Sequence, residues 1–517
     1  MKTPQTVVRL FGAAALLCTL SACEGEGLSV TDSEGEATET GVGSTSSAGS
    51  TGGMETETET DTTETSGAEE PVCGDGVVEG DELCDQEAFE GQSCASQGFV
   101  DGGEIACTEA CTFDLGGCVA CSGWIDERGT AASDQAAGSA IDSAANVYFV
   151  GRSGGWFDGN ESAGEEDVFI TKYTPSGDRL WSRTLGTEFT ERAASVAVDS
   201  EDSVYVMGTT EGNLNGLSNA GVRDVFISKF DAEGNSLWTR LLGTAAGETG
   251  GGLAIDAGDS IYVLGATGSE IDGNTSAGGS DIFLTRFDTD GVKMWTRQFG
   301  SSETDEAGGV VTDASGDIIV VGSIGGDFGG SNFGSNDIIV AKYDAEGTEL
   351  WAHNLGTPEG ERGEAVAVDA EGDILVVGGT SGFLDGNPNF GGPDFAVAKF
   401  SADGDKIWTR QYGTNSIDLV AGIGIRSDGG FYLVGNTRGE FEGNTQAGLI
   451  DAFVTSYDKF GVQLWAEQFG TSKLDWISTA VVDDADNLYI GGSAGGSIFG
   501  KNYQGGNDLF VGRICPK

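Results

Sequence analysis

The sequence is poor in histidine, in basic residues and in long apolar runs. One histidine, His353, occurs in 517 residues, so catalytic triads and metal sites built on imidazole find little support. Lys and Arg together number 26 against 83 Asp and Glu, which gives a formal net charge of −57. Nucleic acids and anionic lipid surfaces should repel such a chain, and we expect no nucleic-acid partner.

The one pronounced apolar stretch near the start has the form of an export signal. Residues 10–20 follow a basic segment and are too few to span a bilayer. The Leu-Ser-Ala-Cys motif at residues 20–23 resembles a bacterial lipobox. The resemblance implies a signal peptide at residues 1–22, a lipid on Cys23, and, because Glu24 follows, an outer-membrane destination. The membrane contact is then through the lipid anchor only.

Residues 23–70 begin with the lipidated cysteine and continue as a linker. After Cys23 the linker contains acidic residues, Thr, Ser and Gly, but no Lys, Arg or aromatic residue. Such a composition cannot bury a core and predicts a disordered tether.

Residues 71–120 are dense in cysteine. An exported chain favours disulfides over metal sites, and the spacings lack the paired C-x2-C sets of zinc sites. The opening stretch at residues 73–85 resembles the myxobacterial-type cysteine-rich repeat, although Gln86 and Glu87 depart from its commonest continuation. The resemblance implies a disulfide-stapled module of undefined biochemical role. Its pairing stays open, with a sequential arrangement preferred: Cys73–Cys84, Cys94–Cys107 and Cys111–Cys118.

Seven tryptophans recur at a nearly constant interval. Successive members are 57 residues apart, with one interval of 56. A fixed period of this size is the signature of a repeat architecture. The positions are Trp124, Trp181, Trp238, Trp295, Trp351, Trp408 and Trp465.

Each repeat contains four short segments with strand character, separated by Gly, Asp and Asn. In the third repeat these segments, called a to d in chain order, are residues 252–256, 260–265, 281–287 and 292–299. No helical period is convincing. Four strands in each of seven repeats predict an all-β, seven-bladed β-propeller at residues 121–517. Strand a, rich in small residues, is expected to lie innermost, where seven strands crowd one axis.

Aspartates repeat at two further positions, and we expect them to bind turn amides. The tryptophans are expected to pack one blade against the next. Strand c opens with Asp167, Asp224, Asp281, Asp337, Asp394, Asp451 and Asp508. Strand a ends with Asp142, Asp199, Asp256, Asp313, Asp369 and Asp483, with Arg426 as the exception in the sixth repeat.

The repeats resemble the bacterial β-propeller repeat (SBBP-like) family. Residues 186–208 follow its Gly-Thr opening and its A-V-D-x-x-G-x-x-Y-V-x-G segment, except that Asp202 replaces the turn glycine. The D-x-x-G-x-x-L-W tail at residues 344–351 is similar to the repeats of quinoprotein-type propellers and of outer-membrane assembly scaffold lipoproteins. The resemblance implies the fold and says almost nothing about function.

The chain ends predict how the ring closes. The last repeat stops after strand c, whereas the first begins with a lone strand d at residues 122–126, so the N-terminal strand should complete the last blade. Aligned on the third repeat, Cys121 and Cys515 occupy positions that face each other across the turn between strands c and d. We therefore predict a Cys121–Cys515 disulfide in place of that turn.

The loops between strands d and a and between strands b and c are long and share one face, where binding is expected. An acid precedes every strand a on this face, and the seven would form a negative ring that binds cations or basic peptides. The alternative is that they cap loop amides. They are Asp134, Glu191, Glu248, Asp305, Glu361, Asp418 and Asp475.

Acidic-Gly-Asn triplets in the b–c loops offer oxygen ligands for Ca²⁺, with a plain turn as the alternative. No other cofactor is predicted. The candidates are Asp158, Asn160, Asp272, Asn274, Asp385 and Asn387.

Trp156 and Trp476 lie outside the repeating register, on the loop face, where they would stack on sugars or simply pack. The sequence favours a non-catalytic binding or scaffolding lipoprotein of the cell envelope whose ligand is a protein or a glycan. A lectin-like glycan binder is one alternative. A polysaccharide hydrolase or lyase is the other, and it requires two carboxylates that converge in one pocket.

Overall fold

The computed structural model describes residues 123–515, apart from residues 330, 331, 442, 499 and 502, and the backbone of two short strands. These strands, β1 (Ala106–Cys107) and β2 (Phe113–Asp114), pair antiparallel and belong to a compact unit separate from that of residues 123–515. The signal peptide, Cys23, the tether, the pairing of the module cysteines and Cys121 lie outside the described residues, so these predictions stay untested.

Residues 123–514 form seven four-stranded antiparallel sheets, which confirms the seven-bladed propeller. Blades 1 to 3 consist of β4 (Asp134–Ile141), β5 (Val147–Ser153), β6 (Asp167–Tyr173), β7 (Arg179–Leu185); β8 (Glu191–Val198), β9 (Val204–Thr210), β10 (Asp224–Phe230), β11 (Ser236–Leu242); β12 (Glu248–Ile255), β13 (Ile261–Thr267), β14 (Asp281–Phe287) and β15 (Lys293–Phe299).

Blades 4 to 6 repeat the same order. They consist of β16 (Glu306–Thr312), β17 (Ile318–Ile324), β18 (Asp337–Tyr343), β19 (Glu349–Leu355); β20 (Glu361–Val368), β21 (Ile374–Thr380), β22 (Asp394–Phe400), β23 (Lys406–Tyr412); β24 (Asp418–Ile425), β25 (Phe431–Thr437), β26 (Asp451–Tyr457) and β27 (Gln463–Phe469). Single 3-10 turns at Leu214–Gly216 and Leu384–Gly386 lie in the b–c loops of blades 2 and 5.

Blade 7 is built from both ends of the described chain. It consists of β28 (Asp475–Val482), β29 (Leu488–Ala494), β30 (Asp508–Ile514) and β3 (Trp124–Arg128), in that order across the sheet. In the antiparallel register Trp124 pairs with Arg513 and Arg128 with Leu509. The N-terminal strand is therefore strand d of the last blade, as the sequence predicts.

Strand a of each blade is innermost, because it contacts strand a of both neighbouring blades, and β28 contacts β4 to close the ring. The core is divided among the blade interfaces. Seven hydrophobic clusters each combine residues of two adjacent blades. Strands b and c are buried almost throughout, which explains their continuous runs of Val, Ile and Phe.

The repeated tryptophan holds the next blade by its c–d turn. The Trp238 indole N–H donates to the carbonyl of Thr289 at 3.2 Å, and Arg240 Nε donates to the carbonyl of Gly291 at 2.9 Å. Gly291 has a φ of +73°, and a Cβ there would lie 3.1 Å from the indole ring. The prediction that tryptophan packs blade against blade is confirmed. Trp124 acts in the same way, donating from blade 7 to Pro175 of blade 1 at 3.0 Å.

The aspartate at the end of strand a organises the a–b turn, as predicted. Asp256 accepts hydrogen bonds from the amides of Gly258 and Ser260 at 2.8 and 2.9 Å, and from the Tyr262 hydroxyl at 3.0 Å. In several blades a strand-c lysine neutralises it, as Lys399 does for Asp369 at 2.8 Å.

Arg426 replaces this aspartate in blade 6, and neighbouring side chains bind its guanidinium. It pairs with Asp428 at 3.0 Å and donates to the Ser456 hydroxyl at 2.6 Å. Ser456 occupies the strand-c position that Lys399 holds in blade 5. The basic group now lies at the end of strand a and its acidic partner lies in the turn, so the turn still contains a neutralised pair.

Asp202, the departure from the family's turn glycine, also has a role. Its φ is +63°, a conformation that disfavours most side chains. Its carboxylate accepts hydrogen bonds from the amide and the hydroxyl of Ser143 in blade 1, at 2.9 and 2.8 Å. The side chain that is strained at this turn therefore links two blades.

Candidate functional site

The d–a and b–c loops meet on one face of the ring, here called the loop face; in blade 3 they are residues 243–247 and 268–280. The last residue of each b–c loop binds the first residue of strand a in the next blade. The backbone carbonyl of Arg223, for example, accepts a hydrogen bond from the Glu248 amide at 2.9 Å. The backbone carbonyl of Asn507 accepts one from the Asp134 amide at 2.7 Å. This pairing brings the seven long loops together around the channel, as predicted.

The seven acids at the start of strand a do not form the solvent-facing ring that the sequence predicts. Each is at most 2% exposed. Glu248 accepts the Thr244 amide at 2.9 Å, the Thr244 hydroxyl at 2.6 Å and the Thr267 hydroxyl at 2.8 Å. The carboxylates therefore cap loop amides, which was the alternative. They can do so while buried because threonine hydroxyls replace water around them. The corrected positions are Asp134, Glu191, Glu248, Asp305, Glu361, Asp418 and Asp475.

At four junctions a second buried acid, which starts strand c in the preceding blade, lies beside the acid of strand a. At the junction of blades 5 and 6, a Cβ on Gly413 would lie 2.4 Å from Asp394 Oδ1 and 3.1 Å from Asp418 Oδ2. The glycine of the Gly-Thr motif is therefore required by the close approach of two carboxylates. Burial is the main cause of a raised pKa at seven such groups. They are Asp134, Asp224, Asp305, Asp337, Asp394, Asp475 and Asp508.

These buried acids predict that the propeller is most stable at mildly acidic pH. A carboxyl whose pKa is raised by folding makes its full contribution to the stability of the folded state at pH values below its unfolded pKa. That contribution is lost as the pH rises through the folded pKa. We expect the Tm to fall as pH increases from about 4, the ordinary pKa of an aspartyl carboxyl, toward neutral pH. Thermal unfolding at constant ionic strength measures this, and a Tm that rises across the window would contradict it.

The calcium candidates are turns whose aspartates bind basic side chains. Asp385 pairs with Lys406 at 2.5 Å and accepts the Thr409 hydroxyl at 2.6 Å. Asp272 makes the same contacts with Lys293 and Thr296.

The remaining candidates follow the same plan. Asp158 pairs with Arg128 at 3.1 Å and with Arg179. Asn160, Asn274 and Asn387 donate from their side chains to carbonyls three residues earlier. Within residues 123–515 as described, no group of three or more His, Cys, Asp or Glu is arranged to hold a metal ion. The observed contacts are those of plain turns, and the calcium assignment stays a prediction.

The residue that follows each buried acid faces the mouth of the channel. Side chains alternate along a strand, so the acid points inward to the loops and its successor is accessible to solvent. This position carries six different residue types in the seven blades, with arginine in both blade 2 and blade 5, whereas the framework around it repeats. The sequence analysis identified one of its members and missed six, although comparison of the seven repeats would have shown the variation. They are Gln135, Arg192, Thr249, Glu306, Arg362, Leu419 and Trp476.

A pocket of about 270 Å³ opens at this mouth and is lined by residues of blades 4, 5, 6, 7 and 1. Its walls include Trp476, Leu419, Arg362, Gln135 and Asn436. The pocket combines apolar surface with amide and guanidinium donors, the composition expected of a small-ligand site.

Hydrogen bonds hold several of these side chains in place. Arg362 pairs with Glu306 at 3.2 Å and with Glu364 at 3.0 Å. The Asn436 side chain accepts a hydrogen bond from the Ile477 amide at 2.8 Å and donates one to the Ile477 carbonyl at 3.1 Å. The pocket is therefore organised before any ligand arrives.

Across the mouth lies a second charged group. Glu166 accepts from Arg192 at 2.7 Å and from Arg152 at 3.5 Å, and Arg152 also donates to Gln135 at 2.9 Å. Burial, with the neighbouring Arg192, lowers the pKa of Arg152. Arginines are scarce in this acidic chain, and the three at this mouth, Arg152, Arg192 and Arg362, are each paired with a glutamate.

The two tryptophans that the sequence selected lie in different surroundings. Trp476 is half-buried and lines the pocket. Trp156, in the b–c loop of blade 1, is 67% exposed and is not among the residues that line the pocket. Of the two, Trp476 alone stands beside convergent polar groups.

The single histidine is remote from this pocket. His353 lies on strand d of blade 4, two residues after Trp351, where other blades have the arginine of the tryptophan clamp. Its ring stacks on Phe400 with centroids 5.7 Å apart. Its contacts are those of a blade interface.

The sequence is related to other repeat proteins at low identity. No family model matches the chain, so its resemblances to the cysteine-rich repeat and to the bacterial β-propeller repeat family stay predictions. The regulatory protein FlaEY of Caulobacter vibrioides is 27% identical over 364 residues, which are 62% of this chain and 36% of that protein. The chain spans about a third of the length of the curated relatives it matches.

Two solved structures align with this chain at low identity. The WD40 domain of Neurospora crassa Pan2 aligns with a TM-score of 0.39 and 11% identity, over 74% of this chain and 89% of that domain. Puromycin hydrolase aligns with a TM-score of 0.44 and 11% identity, over 71% of this chain and 51% of that enzyme. Likenesses this distant do not transfer an activity. No helix in the described part of the chain is both long and apolar enough to cross a bilayer.

Proposed function

We propose that this chain is a non-catalytic binding protein of the cell envelope whose propeller takes its ligand at the mouth of the central channel. The observation that carries the proposal is the position after the buried acid. It holds six residue types in seven repeats, and members from blades 1, 5, 6 and 7 line one pocket together. A framework that repeats while one surface position varies is the arrangement of a scaffold adapted to a ligand.

The carboxylates of the pocket favour binding over hydrolysis. Glu361 is 2% exposed and accepts the Thr357 amide at 2.6 Å and the Thr380 hydroxyl at 2.9 Å. Glu364 pairs with Arg362. Each of the two is engaged in holding the site, whereas a glycosidase needs one carboxyl free to transfer a proton and another to attack or to activate water.

A glycan is the ligand class that Trp476 favours. An indole beside Arg362, Gln135 and Asn436 offers a stacking face next to hydrogen-bonding groups, which suits the apolar face and the hydroxyls of a sugar ring. The export signal and the lipobox resemblance support an envelope location, where polysaccharides are accessible.

Replacing Trp476 by alanine is expected to weaken glycan binding at least about tenfold, because one stacked ring contributes roughly 1.5 kcal/mol. The full-length chain is applied to a glycan array, and Kd is then measured for the saccharide that binds. The matched control is Trp156→Ala, which removes an exposed tryptophan of the same face outside the pocket and should leave Kd within about twofold.

The opposite pattern, with loss in Trp156→Ala and none in Trp476→Ala, would exclude the channel mouth as the site. Turnover of a bound polysaccharide by the full-length chain would replace the binding function with a hydrolase or lyase.

A further inference from the structure

The closure strand β3 carries an acid where three of the other six blades carry glutamine. The residue three positions after the repeated tryptophan is Gln298 in blade 3, Gln411 in blade 5 and Gln468 in blade 6, but Glu127 in blade 7. All four occupy the same place on strand d, opposite the third residue of strand c. The substitution exchanges an amide NH2 for a carboxyl oxygen at one defined point.

The glutamines show which hydrogen bonds a side chain makes at this position. In blade 6, Gln468 Nε2 donates to Asp451 Oδ2 at 2.9 Å and to the carbonyl of Gly439 at 3.0 Å, while Oε1 accepts the Phe441 amide at 3.1 Å. Gln411 donates to Asp394 Oδ2 at 2.9 Å and accepts the Leu384 amide at 3.2 Å. Each glutamine therefore donates to the buried acid of strand c and accepts from the b–c loop.

Glu127 reproduces half of this pattern. Its Oε2 accepts the Ile498 amide at 3.2 Å, as the glutamine oxygens accept theirs. Its Oε1 is buried without a hydrogen-bond partner. Asp508 is the strand-c acid of the same blade, and its Oδ2, the counterpart of the oxygen to which the glutamines donate, accepts the Gln504 amide at 2.5 Å. The side chain is 7% exposed. An ionised carboxylate has no proton to donate, so the contact that the glutamines make requires the protonated acid.

The charges around Glu127 favour that protonated form. Asp508 of β30 and Asp475 of β28 both disfavour a negative charge there, and Lys501 of the loop between β29 and β30 opposes them. Burial is the largest influence, and together these raise the pKa of Glu127 to about 7. The group thus titrates close to neutral pH.

We propose that Glu127 is a pH sensor of ring closure. Protonated, it donates to Asp508 as glutamine does in blades 3, 5 and 6, and it holds β3 on β30. When it releases its proton to water, two carboxylates face each other in a buried place, and the pairing of β3 weakens. The strand that responds is the one by which residues 1–122 join the propeller in the sequence.

Amide hydrogen exchange in the full-length chain tests this strand directly. After correction for intrinsic exchange, the opening of β3 (Trp124–Arg128) should increase roughly 50-fold from about pH 5 to about pH 8, as expected for one group whose pKa moves from 4.5 to about 7 on closure. In Glu127→Gln the same strand should lose this dependence, because the amide donates at every pH. This variant copies residues that three other blades already contain, so it is expected to fold.

Gln468→Glu is the matched control, since it places the acid at the same point of an intact blade. It should give β27 (Gln463–Phe469) a comparable pH dependence and leave β3 unchanged. The proposal is overturned if β3 of the wild type opens equally at both pH values, if Glu127→Gln retains the wild-type dependence, or if Gln468→Glu gives β27 none.

Discussion

Replacing Cys515 by alanine is expected to lower the free energy of unfolding by about 5 kcal/mol. Cys515 is disulfide-bonded in the structure, and residues 123–514 contain no other cysteine. Its sulfur approaches the position of a Gly123 Cβ to 3.4 Å, two residues after Cys121. A Cys121–Cys515 bond would close a loop of roughly 390 residues, and loops of this length lose the most entropy in the unfolded chain.

The place of Cys515 supports the same partner. It directly follows β30, where the other six blades have a c–d turn that the tryptophan of the preceding blade clamps. Blade 7 has no such turn, so a covalent link between its third and fourth strands would replace it. The identity of the partner stays a prediction, because Cys121 lies outside the described residues.

Denaturant unfolding of Cys515→Ala, Cys121→Ala and the double variant measures the effect. Two halves of one bond are not additive, so the double variant should lose no more than either single variant. Additive losses, or peptide mapping that joins Cys515 to a cysteine of residues 71–120, would contradict the pair.

Replacing Trp238 by alanine is expected to cost about 3 kcal/mol of unfolding free energy. The variant removes the hydrogen bond to Thr289, the contact with Gly291, and the stacking of the Arg240 guanidinium 4.9 Å from the ring. These contacts join blades 2 and 3, so the loss falls on an interface and not on one blade.

Trp156→Ala is the control for this measurement as well. Trp156 is 67% exposed, and its replacement should change the free energy of unfolding by less than about 0.5 kcal/mol. Denaturant midpoints of both variants, at unchanged m, give the comparison. If Trp238→Ala proves as mild as Trp156→Ala, the tryptophans are not the clamps of the ring.

The fold could be predicted because the same local sequence signals occur in each of the seven repeats. Turn residues, strand alternation and the Trp period agree in every repeat, and a β-propeller is the one architecture that they satisfy together. Ring closure was predictable for the same reason: Trp124 is a strand d without its own blade, and β30 lacks a strand d.

The site was harder to predict, because partners distant in the sequence decide burial. Glu248 was expected in solvent since it is charged and lies at a loop, but Thr244 and Thr267 supply hydroxyls that replace water. Thr244 lies four residues before Glu248 and belongs to the Gly-Thr motif, so this partner could have been predicted from the sequence. The Thr267 partner, on strand b, becomes visible only in the folded sheet.

The sequence by itself determined the number of blades, the strand pattern, the closure strand and the role of the tryptophans, because these depend on local propensity and on a period. Only the tertiary structure decided which polar groups are buried in pairs, which calcium candidates bind lysine or arginine, and which residues meet at the channel mouth. Contacts between blades join residues that are dozens to hundreds of positions apart. Packing sets the solvation and the charge environment of each one, as it does for Glu127 beside Asp508.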